Sequence, residues 1–420
     1  MNIAARFSAL RAGFSRTFWV ANILELFERF AFYGSKAILA VYLVDTVGLG
    51  PLGSTLVGLY GFAVFFLPIL AGPIVDHYGF KRSLIACFSI FSIGYFAVGL
   101  AGIPQGRFLV DAIGLKAYVT GALLLTAVGG SLIKPCIVGT VACTTNDQTK
   151  SLGFSIYYML VNLGGALGPA LALFIREGFG IGYVLVMSSV VSLMNLIVTL
   201  VMFKEPESQV PANGRRTLRK VLKDMVLVFG NFRFISFLVI FSGFWIMFWQ
   251  IFYSLPFYIR DVLHFERFEL LETVDSWTII VLTVPIAAAM KRFRPILTMT
   301  TGFAIASASW LIIAAVPGIF ATVFAIFVFA IGEIVQAPRF YEYVADLAPK
   351  EQVGTFMGFA FLPVAIGALV AGPLSGYLVE HFIRQTGNPS GMWVVLSGIG
   401  FTSTALMFLY DRVVVLRKKS

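Results

Sequence analysis

Long apolar runs recur along the whole 420-residue chain and constrain its fold more than any other feature. Many of these runs reach about 20 residues, the length that a helix needs to cross a hydrocarbon core about 30 Å thick. Only 12% of the residues are charged, whereas a soluble domain needs about a quarter to cover its surface. The chain is therefore predicted to be an all-α membrane protein.

Twelve candidate transmembrane helices fall into two groups of six, separated by one long polar stretch. The first six are predicted at about 18–45, 53–76, 82–102, 114–140, 153–177 and 181–203. The second six are predicted at about 234–260, 273–290, 295–316, 318–345, 353–380 and 390–411. This pattern predicts an N-terminal six-helix bundle at 1–203, a linker at 204–233 and a C-terminal six-helix bundle at 234–420. Such a layout is typical of the major facilitator fold, in which two halves rock about a site near the membrane midplane.

The basic residues that flank the spans predict how the chain is oriented. Of the 31 Lys and Arg residues, 21 fall on the side that carries both termini and the linker, and 6 on the other side. An excess of Lys and Arg marks the cytoplasmic side. We therefore expect a multi-pass protein of the cell membrane with both termini and the linker in the cytoplasm. The remaining four bases lie inside predicted spans: Arg29, Lys36, Lys134 and Arg339.

Other functional classes lack support in the sequence. The net charge of +10 would suit a nucleic-acid-binding protein, but the basic residues form no stripe with stacking aromatics. The three histidines, His77, His264 and His381, share no metal-ligand spacing, so neither a metal nor another resident cofactor is predicted. The sequence has no nucleophile elbow and no phosphate-binding glycine loop at a helix start, so an enzyme is not expected.

The first predicted span carries an unusual density of charge in the stretch "ELFERFAFYGSK". On a helix, Glu25, Glu28, Arg29, Tyr33 and Lys36 fall within an arc of roughly 140°. One charge at the bilayer centre costs roughly 2.5–3.5 kcal/mol on insertion scales, so such charges must be paired or line a wet cavity. This face is predicted to point into the bundle.

A base on the fourth predicted span completes the arrangement. Lys134 in "GGSLIKPC" is expected at a depth similar to that of Glu25 and Arg29, so two acids face two or three bases and the cluster can neutralise itself. Two interpretations remain open for this cluster. It is either a structural network that pins two helices, or the protonatable part of a proton-coupled machine, and we favour the second.

A single acid is predicted deep in the second half. Glu333 lies about midway along the tenth predicted span, in "IGEIVQAPRFYEY". We expect it to be the only acid deep in that half and to face the first half. A carboxylate without a local base in this position needs a substrate amine, water or a proton to satisfy it.

Four separated stretches resemble the proton-dependent oligopeptide transporter (POT) family. The family's first-helix signature E-x-x-E-R-F-x-Y-Y-G appears as "ELFERFAFYG", with Phe32 in place of the first tyrosine. Its glycine-rich run ending in K-P matches "GGSLIKPC", and its fifth helix is similar to "NDQTKSLGFSIYYMLVNLGGALGP". Its tenth-helix pattern G-E-x-x-x-x-P, followed by L-A-P, matches "GEIVQAP" and "LAPK". These matches cover both halves of the chain.

The resemblance implies roles for individual residues. The residues that would couple protons are Glu25, Glu28 and Arg29. The residues that would bind substrate are Tyr33, Lys36, Lys134, Asn162 and Glu333. Among these, Lys36 and Lys134 would hold a carboxylate end, Asn162 a backbone carbonyl and Glu333 the amino end of a peptide.

The resemblance also implies a function, with one departure that bears on the substrate. The chain is expected to be a proton-coupled symporter that imports di- and tripeptides, or related carboxylated solutes, by alternating access, with protons as the coupling ion. Many family members carry an acid on the seventh helix, whereas "FWIMFWQIF" has Trp249 and Gln250 here. The alternative is a major facilitator transporter, or an exporter, of a different small solute.

Overall fold

The protein is helical throughout the part of the chain that the structure describes. The structure is a computed structural model and describes residues 13–146, 148–206, 218–348 and 353–415, in which no strand is present. Residues 207–217 of the predicted linker and the basic segment 1–12 lie outside the described residues. The predicted all-α architecture is confirmed.

Six long helical elements form the first half. They are α1 (Arg16–Val41), α2 (Pro51–Phe66 and Pro68–Tyr78), α3 (Phe80–Leu100), α4 (Leu115–Cys143), α5 (Lys150–Phe179) and α6 (Ile181–Met202). Helix α1 begins where the Ser15 hydroxyl accepts a hydrogen bond from the Phe18 amide at 3.2 Å, which caps its first turn. Helix α2 bends by 44° between its two parts, because Pro68 has no amide hydrogen to continue the helical ladder.

Six more elements form the second half. They are α7 (Phe232–Tyr253), α8 (Phe268–Met290), α9 (Pro295–Ala315), α10 (Ile319–Leu347), α11 (Val353–Phe359 and Leu362–Leu378) and α12 (Pro389–Tyr410). A shorter amphipathic helix, Leu218–Phe229, precedes α7 and lies where the sequence predicts the linker.

The long helices are consistent with the predicted twelve spans, although fewer of them pass a test of length and composition. By length and composition, ten helices of the described chain can cross a membrane, and the bent α2 counts as an eleventh. Helix α1 has 26 residues and is therefore about 39 Å long. This length suits a full crossing, and α1 falls outside the count of apolar spans because of its charged residues.

The start of α8 differs from the prediction. The helix begins at Phe268, five residues before the predicted start at 273, because Glu269 occupies its first turn, where the helix dipole favours an acid. The Glu269 carboxylate also accepts a hydrogen bond of 2.5 Å from Arg176 at the end of α5. A charged stretch that looks like a loop in the sequence is thus helical.

Ion pairs join the two halves at one end of the bundle, the end opposite the start of α1, which we call the far end. The Asp45 carboxylate lies 2.5 Å from Arg260 and 2.7 Å from Arg384. Arg176 pairs with Glu269 at 2.5 Å, and Arg267 pairs with Glu177 at 2.9 Å. Within the described residues, every ion pair between the halves lies at this end, so the far end is closed.

Helices α2 and α11 approach each other closely and also join the halves. A Cβ atom added to Gly58 would lie 2.7 Å from the Ala368 carbonyl oxygen and 2.9 Å from Gly372 Cα. Only glycine leaves room for backbones this close. The two halves therefore touch through main chain at this crossing, within the part of the membrane nearer the far end.

Asp45→Asn is expected to loosen the far end, because its carboxylate pairs with both Arg260, which follows α7, and Arg384, which follows α11. These partly exposed pairs are worth at most about 1 kcal/mol each, so the equilibrium should shift toward an open far end by up to about 30-fold. Spin labels on Ile113→Cys and Thr386→Cys, which are exposed on opposite halves at this end, should report a population with a longer distance.

Glu177→Gln is the matched control for Asp45→Asn. It removes one ion pair with Arg267 in which both side chains are largely exposed, at 41% and 57%, so little change is expected. Equal distance distributions for wild type and Asp45→Asn would contradict the assignment of Asp45 to the closure of the far end.

Candidate functional site

The charged face of α1 is buried inside the first half. Glu25, Glu28 and Arg29 are 0%, 3% and 5% exposed. Arg29 Nε donates a hydrogen bond of 2.5 Å to Glu28 and lies 3.4 Å from a Glu25 oxygen, and a second Arg29 nitrogen also contacts Glu28. The predicted inward orientation of this face is confirmed, since one guanidinium serves both acids.

Helix α4 adds the second base to this group. Lys134 Nζ lies 3.6 Å from Glu25 and donates a hydrogen bond of 3.0 Å to the Tyr157 hydroxyl of α5. The depth inferred for Lys134 from the sequence is therefore confirmed. Glu25, Glu28, Arg29 and Lys134, which we call the first-half cluster, contain two acids and two bases and balance in charge.

Close packing of α5 on α1 holds the first-half cluster in place. A Cβ atom on Gly164 would collide with Arg29 Cβ, so glycine is needed where α5 crosses the base of the Arg29 side chain. The Arg29 guanidinium carbon lies 4.9 Å from the Phe32 ring centre. The arginine is thus fixed between two packed surfaces, while Lys134, 27% exposed in its side chain, is the cluster member best placed to move.

Lys134→Ala is expected to destabilise the protein, because Glu25 would keep only Arg29, which it shares with Glu28. The loss should be about 1–3 kcal/mol of unfolding free energy, the cost of leaving a buried charged group under-partnered. Thermal unfolding of the purified protein in detergent measures it. Adding Glu25→Gln to Lys134→Ala should recover part of the loss. A double variant that loses the sum of both single losses would argue against direct pairing.

Lys36 lies about two helical turns beyond Arg29 of the first-half cluster, and its side chain reaches the second half. Its side chain is 8% exposed, and the ammonium lies over aromatic rings from α1 and α7. The distances from Nζ to the ring centres are 3.4 Å for Phe252, 4.3 Å for Trp249, 5.0 Å for Phe248 and 5.2 Å for Tyr33. Cation–π contacts of this kind are strongest when water is excluded. The structure therefore places Lys36 and Tyr33 together in an aromatic cage, separate from Lys134.

Glu333 lies at the centre of α10 and faces the Lys36 side of the site. Its charge acts on both Lys36 and Tyr33, and its Oε2 atom is buried without a hydrogen-bond partner in the described chain. Asn162 of α5 is partly buried, and its amide donates a hydrogen bond of 2.8 Å to the Tyr158 carbonyl. Its amide oxygen is thus left for another group.

Two acids on α8 were missed by the sequence analysis, and the expectation that Glu333 is the only acid deep in the second half is wrong. Glu272 and Asp275 are 2% and 4% exposed. The predicted start of this span at 273 put them at its edge, whereas the helix begins at Phe268 and carries them one to two turns inward. Their i,i+3 spacing in "ETVD" could have signalled one helical face.

The position on α7 where the resemblance expects an acid is used for packing. Gln250 is fully buried, donates a hydrogen bond of 3.2 Å to the Ala371 carbonyl and accepts one from Ser254. Trp249 donates to the Val364 carbonyl at 3.1 Å while its ring contacts Lys36. These residues tie α7 to α11 and supply no titratable group.

The site as a whole has two charged centres on opposite halves. The first-half cluster is balanced, while Lys36 faces three acids of the second half, Glu272, Asp275 and Glu333. In the described residues, no group of three or more His, Cys, Asp or Glu side chains is arranged to hold a metal ion. The arrangement offers separated basic and acidic groups to a small charged solute, together with buried carboxylates that can bind protons.

Comparison with known proteins identifies the family. The model of the Major Facilitator Superfamily matches residues 21–274 and 267–420. Dipeptide and tripeptide permease A of Escherichia coli (strain K12) is 25% identical over 439 residues, covering 86% of this chain and 84% of that protein. Dipeptide and tripeptide permease B of Photorhabdus asymbiotica is 31% identical over 167 residues, or 39% of this chain. The match spans only 32% of that permease, about a third of its length.

Solved structures share the fold along nearly the whole chain. One is a POT family transporter in complex with 5-aminolevulinic acid, with a TM-score of 0.77 and 16% sequence identity. The match covers 95% of this chain and 97% of that transporter. A POT family transporter in complex with a thioalcohol-conjugated peptide has a TM-score of 0.76 at 15% identity. These likenesses confirm the major facilitator fold. The resemblance to POT transporters is confirmed too. The relatives and structural neighbours named above are transporters and not enzymes. The chain belongs to the Major Facilitator Superfamily.

Proposed function

We propose that the protein is a proton-coupled symporter that imports di- and tripeptides, or related carboxylated solutes, by alternating access. The observation that carries the proposal is the first-half cluster, in which two buried acids share Arg29 and one of them, Glu25, also pairs with Lys134. A carboxylate buried in a membrane protein is stable as an anion only while a base pairs with it. Movement of Lys134 away from Glu25 would thus favour binding of a proton.

The two charged centres support a zwitterionic substrate. Lys134 and Lys36 lie on the side of the first half, and Glu333 lies on the second half. A peptide with a carboxylate at one end and an amine at the other would bridge them, with Asn162 forming a hydrogen bond to its backbone and Tyr33 contacting it beside Lys36. The curated relatives named dipeptide and tripeptide permeases support this class of substrate.

The setting that we propose is the cell membrane, with both termini and the linker 204–233 in the cytoplasm and the far end outside. The proposed domains are an N-terminal bundle at 1–203 and a C-terminal bundle at 234–420, embedded in lipid. The uneven distribution of Lys and Arg supports this orientation. With the far end closed by ion pairs, the structure then corresponds to a state that faces the cytoplasm.

A transporter or exporter of a different small solute is the second candidate. It is favoured by α7, where Gln250 replaces the expected acid, and by the additional acids of α8. A solute without an amine would have no use for Glu333, so the effect of Glu333 on binding separates the two candidates.

Uptake by purified protein in liposomes tests the proposed function. A labelled di- or tripeptide should accumulate when the external pH is lower than the internal pH, and a protonophore should abolish the accumulation. A library of dipeptides and tripeptides without any that accumulates, alongside movement of another solute, would support the second candidate.

A further inference from the structure

Two carboxylates on α8 are buried, with oxygens that have no hydrogen-bond partner in the described chain. Glu272 is 2% exposed, and neither of its carboxylate oxygens has a hydrogen-bond partner within the described chain. Asp275 is 4% exposed, and its Oδ1 atom is also without a partner there. An isolated anion buried in this way is very costly, so both side chains need a compensating cation or a proton.

Lys36 is the cation that faces these acids, and it too is without a polar partner among the described residues. It interacts electrostatically with Glu272, Asp275 and Glu333, yet no ion pair joins it to any of them, and its ammonium lies in the aromatic cage of Phe248, Trp249 and Phe252. The cage belongs mainly to α7, whereas the acids belong to α8 and α10. Lys36 therefore contacts the aromatic cage directly and interacts with the acids at longer range.

The charge balance differs between the two halves. In the first-half cluster, two acids meet two bases. On the side of the second half, one lysine faces three acids, so ionisation of all three would leave two buried negative charges in excess. The acids of α8 are 2% and 4% exposed, and a proton is the smallest cation that can relieve the excess of negative charge there.

We propose that Glu272 and Asp275 form a second proton-binding site, in addition to the first-half cluster, and that Lys36 controls its occupancy. The inference rests on the proposed function for its role in transport. While Lys36 occupies the aromatic cage, the pair binds one proton from water at a carboxylate oxygen and becomes less negative. When Lys36 moves to the acids, the proton leaves to water on the other side and the anion pairs with the ammonium, so charge is conserved at each step.

The charged and titratable groups around this pair are limited. From the elements packed against α8 and from α8 itself, they are Tyr33, Lys36, Tyr158, Arg176, Glu269 and Glu333. Arg176 is already paired with Glu269 at the far end. Among these groups, Lys36 is thus the cation that is free to change partner, and its position decides whether the α8 pair carries a proton.

The transport test measures the ratio of protons to peptide in liposomes, from the membrane potential that stops net uptake. The double variant E272Q/D275N should lower the ratio by one proton, while Glu266→Gln, an exposed change at the same end of α8, should keep it. A sodium gradient in place of the proton gradient should not drive uptake. An unchanged ratio in E272Q/D275N, or uptake driven by sodium, would overturn the proposal.

A spectroscopic test reads the site without transport. Infrared difference spectra of the purified protein between low and high pH should show protonated carboxyl bands. E272Q/D275N should lose one component of these bands that Glu25→Gln and Glu28→Gln keep. Lys36→Met, which removes the competing cation, should keep that component protonated to higher pH. Carboxyl bands that are unchanged in E272Q/D275N, or that titrate identically in Lys36→Met, would contradict the site. A wild-type protein with the band but without peptide uptake would instead count against the proposed function alone.

Discussion

Replacement of Glu25 or Glu28 by glutamine is expected to abolish uphill, proton-driven uptake while sparing counterflow exchange. Both acids are buried and share Arg29, so glutamine preserves the shape of the site but removes a proton acceptor. Counterflow needs the binding site and the rocking motion but no net movement of protons. In liposomes with an imposed pH gradient, either variant should bring labelled peptide only to equal concentrations on the two sides.

The control for these variants is Asp111→Asn, an exposed acid at the far end that should leave accumulation at the level of wild type. Counterflow in the same vesicles shows that each variant is folded and binds substrate. If Glu25→Gln and Glu28→Gln both still concentrate peptide against its gradient, the assignment of coupling to the first-half cluster is wrong.

Glu333→Gln is expected to weaken the binding of a peptide with a free amino group by roughly 10- to 150-fold. The reason is the loss of a charge-assisted hydrogen bond worth ~1.5–3 kcal/mol. The carboxylate lies at the centre of α10 with one oxygen unpartnered in the described chain, so an amine can pair with it. An N-acetylated analogue lacks the amine and should bind wild type and variant alike. Calorimetric titration with the matched pair of ligands measures both affinities.

Glu342→Gln serves as the control on the same helix, because Glu342 is exposed and already paired with Arg339. It should change the affinity for neither ligand. Equal losses for the free and the acetylated peptide in Glu333→Gln would show that Glu333 acts in gating or proton movement and does not recognise the amine.

Much of the first half could be predicted from the sequence, since its charges stand out against apolar surroundings. Glu25, Glu28 and Arg29 share one face of α1, and simple depth arguments placed Lys134 beside them, at 3.6 Å from Glu25 in the structure. Burial of unpaired charge is so costly in a membrane that the partners had to be close. Local pattern and energetics therefore agree in this part of the site.

The second half was harder to predict because its contacts depend on how helices meet. The acids Glu272 and Asp275 follow charged residues at the start of α8, and their i,i+3 spacing is a weak signal against a charged stretch that resembles a loop. The rings that surround Lys36 lie more than 200 positions away in the chain, on α7. Any apolar span of this protein could have supplied them, since Phe alone accounts for 42 residues.

The close glycine crossing of α2 and α11 determines how far each end of these helices would move in the proposed rocking motion. Gly58 lies about 10 Å from the far end of α2 and about 30 Å along the chain from its other end at Tyr78. A rotation about this crossing point moves the ends of the helices opposite the far end roughly three times as far as the ends at the far end. A small separation at the far end, enough to part Asp45 from its arginines, would thus accompany a much larger displacement at the opposite end. A distance probe at that opposite end will therefore detect the cycle with the greatest sensitivity.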